Sequence, residues 1–224
     1  MKTFVSFFLA AFFGISVHAQ KTPLLFGKGI VSNDAVFGFT LSPDAKHAFW
    51  VQSNNGRRDT LYIKEAILKK GRLQPAQVAS FSTEAAAGKW KDIDPLFSPD
   101  GKTVLFQSTR PVPGLPGRKG FDIWAVSKLK NGKWSDAWHL GNAVNSDSSE
   151  SYASIANNGN IYFTSNLPNN FGGTDLYVSK FVNGIYEPAQ NLGNIINSGD
   201  RESNPYIAPD ESYLLYFSSK KENS

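Results

Sequence analysis

Asp92, Glu150 and Glu202 fall at one position of a sequence that repeats itself every fifty-odd residues, with Val36 at that position in the first repeat. Carboxylates brought together on one axis raise one another's pKa, and a bound ligand or a cation such as calcium would relieve them. The same three have a plainer use: pairing with Lys91, Arg110 or Arg201, or accepting backbone N–H bonds that hold the repeats in register. Both uses stay open, and no metal is assigned. Asp122 and Asp175 each follow a glycine-rich loop, Gly117–Gly120 and Gly172-Gly173. The loop Asn169–Asp175 could grip a sugar or an anion with backbone donors; equally, short acidic side chains cap loops. The proline- and glycine-rich loop Pro111–Gly120 is long enough to serve function or plain connection. Trp90, Trp134 and Trp138 flank turns and are candidates for stacking on a ligand, whereas Trp50 and Trp124 lie in strand patterns and belong to the core.

Catalytic constellations are missing. His47 and His139 lack partners at metal-ligand spacing, and no Gly-x-Ser-x-Gly elbow occurs. The stretch Ser98–Thr103 resembles a sialidase Asp box only loosely, because Gly101 comes one place early and no tryptophan follows Thr103. No catalytic residue is assigned, and the chain is expected not to be an enzyme.

The elements that must position these residues are read from the repeat. Pro43, Pro99, Asn157 and Pro209 mark equivalent turns, and each is followed by a β-prone run: His47–Val51, Thr103–Gln107, Asn160–Thr164 and Tyr213–Phe217. Pro fixes φ at the first corner, while Asp and Gly tolerate the dihedrals that close a tight turn. Third strands are expected at Thr60–Ile63, Asp122–Ala125 and Asp175–Val178. Each leads through a glycine turn to a weaker fourth strand, around Gln77–Phe81, Ala137–Leu140 and Glu187–Leu192. Four strands per fifty-odd residues is the dimension of a propeller blade. The expected fold is therefore all-β, a β-propeller of four-stranded antiparallel blades at residues 34–89, 90–148 and 149–200, with a truncated fourth at 201–224. Three and a half blades would need further blades or a partner to close the ring.

Ser98-Pro99-Asp100-Gly101-Lys102 before an aromatic-rich strand, the serine-rich strand ends Phe106–Arg110 and Phe217–Lys220, and the recurrent Asp-(Ile/Leu)-(Trp/Tyr) resemble the WD40-like β-propeller repeats of TolB-type periplasmic proteins. The resemblance covers residues 34–224. It implies a non-catalytic interaction module that binds a protein or a cell-envelope glycan. The alternative is the propeller part of a glycan-active enzyme, or of a serine peptidase whose catalytic domain is missing from this chain.

Lys2, the apolar run Phe4–Val17 and Val17-His18-Ala19 read as a signal peptide over residues 1–19, cut between Ala19 and Gln20, with residues 20–33 as a lead-in. The protein is thus expected in the periplasm or outside the cell. No cysteine is present, so neither a lipidated cysteine nor a disulfide is available. No stretch approaches the length of a membrane helix. Aromatics at 13% with 19 Gly and 12 Pro favour short strands and tight turns over helices. The net charge of +4 is scattered among acids, which argues against a nucleic-acid footprint.

Overall fold

The computed structural model describes residues 25–54, 58–118, 120–168 and 170–220. The signal-peptide reading lies outside them. Among the described residues no helix is long and apolar enough to cross a membrane.

Antiparallel sheets follow one another along the chain. In the first unit β1 (Val36–Leu41), β2 (His47–Ser53) and β3 (Leu61–Lys69) are joined by β4 (Arg72–Leu73) and β5 (Gln77–Val78), both of which pair with β3. The second unit is β6 (Asp92–Phe97), β7 (Thr103–Ser108), β8 (Asp122–Ser127) and β9 (Trp138–His139), in that order across the sheet. The third holds β10 (Ser151–Ile155), β11 (Ile161–Ser165) and β12 (Asp175–Ser179). A small hairpin, β13 (Phe181–Val182) with β14 (Ile185–Tyr186), then precedes its edge strand β15 (Gln190–Asn191). The fourth pairs β16 (Glu202–Ile207) with β17 (Leu214–Ser218). This all-β arrangement is consistent with a partial propeller.

Two expectations need correction. The first sheet has five strands, because the Lys70-Gly71 turn makes its own short hairpin before the outer strand forms. The fourth strand expected to reach Phe81 stops at Val78; Ser80–Ser82 turns into a 3-10 segment and α1 (Thr83–Ala86). Phe81 is drawn inward to the rings of Phe49 and Phe106, at centroid distances of 5.6 and 5.2 Å, which a straight edge strand would not allow.

Alternation along the strands sends successive side chains to opposite faces, and each face packs on a different neighbour. On β7 and β8, Val104, Phe106, Trp124 and Val126 join Phe49, Ile63, Ala79 and Phe81 of the first unit. Leu105, Ile123 and Ala125 turn the other way, onto Ile161, Phe163 and Tyr177 of the third. Ala48, Trp50, Ala66 and Leu68 cover the far side of the first unit, where Val31 of the lead-in packs on them.

The repeated turn is held by its backbone as much as by its residues. Ala45, Gly101, Gly159 and Glu211 occupy the same place, all at positive φ (52, 68, 90 and 60°). In each unit the preceding Asp or Asn accepts the N–H two residues on: Asp44 from Lys46, Asp100 from Lys102, Asn158 from Asn160 and Asp210 from Ser212. That local bond lets Ala45 and Glu211 adopt a left-handed conformation that usually selects glycine.

Candidate functional site

The three carboxylates sit at the start of their units' first strands or one residue before, and all are fully buried. Glu150 Oε1 accepts the hydroxyls of Ser146 (2.6 Å) and Ser165 (2.9 Å), and Oε2 accepts the Ser146 N–H (3.0 Å). Glu202 repeats this atom for atom with Ser198 and Ser218, at 2.7, 2.8 and 2.8 Å. Asp92 takes the hydroxyls of Ser82 and Ser108 at 2.8 and 2.6 Å, and adds the Arg110 guanidinium at 2.9 Å to both oxygens. Each acid therefore ties the linker entering its unit to the end of that unit's second strand. Among the described residues no three His, Asp or Glu side chains are grouped as a metal would require.

Identical geometry does not give identical electrostatics. Burial pushes the Glu150 carboxyl above its ordinary 4.5 despite its serine donors, and the nearby negative charge of Asp122 adds to the rise. Burial also acts on Glu202, but the Ser198 hydroxyl and N–H, the Ser218 hydroxyl and the charge of Lys220 outweigh it and hold that carboxyl low. A carboxyl raised by folding contributes stability that is full below 4.5 and is lost as pH rises through the raised value. Glu150→Gln is therefore expected to flatten the fall in melting temperature as pH rises above the ordinary carboxyl value of 4.5. An unchanged profile would assign that fall to other groups.

The serines belong to a motif that the sequence carries twice, Asn145-Ser146 and Asn197-Ser198, each four residues ahead of its Glu. Asn145 accepts the Ile123 N–H (2.7 Å) and donates to the Ile123 carbonyl (3.0 Å); Asn197 does the same to Leu176 at 2.8 and 3.0 Å. Each amide thus closes both backbone groups of one residue near the start of the third strand. Asn197→Ala is expected to cost about 1–3 kcal/mol, because the buried Leu176 N–H loses its acceptor, while the Leu176 carbonyl keeps the Leu192 N–H at 3.1 Å. Urea unfolding of the full chain measures it.

Asp122 and Asp175 stand at matching places. His139 accepts the Gly141 N–H on Nδ1 (3.1 Å), which leaves Nε2–H for Asp122 Oδ2 (3.1 Å). Asn191 imitates it, accepting the Gly193 N–H at 2.8 Å and donating to Asp175 Oδ2 at 2.6 Å. Arg118 Nε meets Asp122 Oδ2 at 2.9 Å, whereas Phe171, the corresponding residue before Asp175, offers only its backbone N–H (2.7 Å). An amide that cannot shuttle a proton therefore replaces the imidazole without loss of any bond. The loop Pro111–Gly120 borders a cavity of about 460 Å³ with Asp147.

The tryptophans divide differently from expectation. Trp134 is in the core with Phe49 and Phe97, only 8% exposed, since the turn before it folds back onto the first unit. Trp90 is half-buried under Arg110 (5.3 Å), and Trp138 is exposed.

A second column, two residues further along the first strands, escaped the sequence reading. Gly38, Asp94, Tyr152 and Asn204 occupy the β-bulges of β1, β6, β10 and β16, all left-handed at φ 59, 50, 52 and 54°. β1 lies against β6, and β10 against β6 and β16. A Cβ on Gly38 would meet Asp94 Oδ1 at 3.0 Å. Burial raises the Asp94 carboxyl against the Gln107 amide (2.8 Å) and the charge of Arg58. Burial and Asp94 likewise raise the Tyr152 phenol, while Arg58 and Arg201 oppose them. Gly38, Asp94 and Asn204 are residue types that enter the left-handed region readily, but Tyr152 is not, so no shared residue type marked the column.

No family model and no curated protein matches the chain. Its fold is similar to that of a puromycin-hydrolyzing peptidase of Mycobacterium tuberculosis, with TM-score 0.53 and 15% identity over 80% of this chain and 24% of that one. A puromycin hydrolase gives TM-score 0.52 and 15% identity over 80% of this chain and 25% of the other. The chain spans about a quarter of the length of either structure. At this identity the likeness is one of fold.

Proposed function

We propose that this chain is an exported, non-catalytic propeller module of the WD40-like, TolB-type kind, which recognises a protein or cell-envelope ligand with the first-strand bulges. The observation that carries the reading is the second column: one backbone conformation repeated in neighbouring strands, with a different side chain on each. Tyr152 and Asn204 are exposed there, and Gly38 shows which residue the backbone alone would prefer. A left-handed conformation costs a residue such as Tyr152 roughly 1–2 kcal/mol, and less for Asp94 and Asn204, and such strain gathers at functional positions. The His139–Asn191 equivalence supports a structural use for the one Asp–His pair of the second unit.

In the double variant Tyr152→Gly, Asn204→Gly, the full chain is expected to melt higher while its cross-linked adduct in intact cells disappears. An adduct pattern identical to the wild type would remove the bulges from recognition. Export is checked by the N-terminus of the recovered protein, expected at Gln20.

A second reading follows from the fold likeness: a propeller portion serving a peptidase. It requires that the chain, isolated from its native cells, travel with amide-hydrolysing activity that a serine-directed fluorophosphonate blocks. Absence of that activity leaves the binding module.

A further inference from the structure

A cavity of about 710 Å³ opens between the first and second units, and no residue of the bulge column lines it. β3 and the segment Gln74–Ser80 form one side, and the turn Gly132–Trp134 forms the other. Its size is that of a small-molecule site, and its wall is mostly apolar with a few convergent polar groups. The polar groups are fixed. Glu65, with a side chain 11% exposed, accepts His47 Nε2 and Gln77 Nε2, both at 2.9 Å. The His47 ring is held in turn by stacking on Phe49 at 4.8 Å, with Trp134 at 6.0 Å.

This network is not needed to pair the strands, because β2 and β3 are already joined by a continuous backbone ladder from His47↔Ile67 to Ser53↔Leu61. A carboxylate has about four lone-pair sites, and two on Glu65 are taken. Trp134 Nε1 is buried with no partner among the described residues. Lys69 and Lys133 line the same cavity and are exposed. The site thus sets one recessed negative charge, a rigid aromatic and aliphatic wall, and two positive charges at the rim.

We propose that this cavity binds a free α-amino acid with a large aromatic side chain. The ammonium meets Glu65, the ring lies between Ile67 and Trp134, and the carboxylate faces Lys69 and Lys133. The site is independent of the bulge column, so failure of either idea leaves the other standing.

Calorimetric titration of the full chain with three probes, and with a dipeptide as a control, tests it. L-phenylalanine is expected to bind at least tenfold more tightly than phenethylamine, which lacks the carboxylate, or 3-phenylpropionate, which lacks the ammonium. Phenylalanyl-glycine, which moves the carboxylate away, separates a peptide N-terminus from the free amino acid; equal or tighter binding of the dipeptide overturns the assignment. In Glu65→Gln the advantage of phenylalanine over phenylpropionate is expected to vanish. The double variant Lys69→Ala, Lys133→Ala changes only exposed side chains, so it folds even if Glu65→Gln does not, and it is expected to erase the advantage over phenethylamine. No heat with phenylalanine, equal affinity for all three probes, or an advantage that survives the lysine changes refutes the site.

Discussion

Asp92→Ala is expected to lower the unfolding free energy by about 3–5 kcal/mol, because it strands a guanidinium in the protein interior. Arg110 is 10% exposed at its side chain, and its remaining bonds are to the Phe81 carbonyl and the Ser108 hydroxyl. Three aromatic rings, of Phe106, Trp124 and Trp90, surround it at 5.0–5.3 Å. They attract a cation but cannot accept its N–H groups as a carboxylate does. The other two acids are bonded by two serine hydroxyls and one backbone N–H each and by no guanidinium, so Glu202→Ala is expected to cost less. Removing the cation as well, in Asp92→Ala, Arg110→Met, is expected to restore most of the loss. A double variant whose cost equals the sum of the two single changes would show that the ion pair is not what the site protects.

The second large effect concerns Gly172. A methyl group there would stand 2.7 Å from both the Gly199 carbonyl carbon and the Ser198 carbonyl oxygen, and closer still to the Asp200 oxygen. All are backbone atoms of the linker into the fourth unit, so no rotamer change relieves the clash. The next residue, Gly173, donates its N–H to the Asp200 carbonyl at 2.5 Å, and Thr174 bridges Arg201. Gly172→Ala is expected to cost about 3 kcal/mol, the upper part of the usual range for overpacking. Its signature is early protease cleavage near Arg201 while the first two units stay intact. Uniform loss of all units at once would mean that the linker is no weak point.

How much of this was legible depends on whether the signal was local. The turns at Pro43, Pro99, Asn157 and Pro209 are four-residue events, and Asx bonding makes them readable even where Ala45 or Glu211 replaces glycine. The Asp92–Glu150–Glu202 column was visible as an alignment, yet its partners were not. Ser165 and Ser218 approach only once a strand has turned back, and the Asn145 and Asn197 clamps reach across more than twenty residues. The bulge column was hidden because a positive φ at Tyr152 is imposed by packing between strands, not by the tyrosine. Trp134 misled for a similar reason: proximity to a turn says nothing about which unit the turn folds against. The cavity beside Glu65 belongs to two units at once, and no single repeat contains it.

The linker acids also bear on how such a chain comes apart. Each staple joins a unit to its immediate neighbour and to nothing beyond, so the molecule behaves as a row of couplings in series. A defect in one coupling is felt next door and fades further along. Amide exchange should therefore be graded, slowest on β7 and β8, which have a packed unit on both sides, and fastest on β17, whose Leu215 and Phe217 are more than half exposed. Robustness in such a molecule is a property of position in the row, set by how many neighbours a strand has to lose.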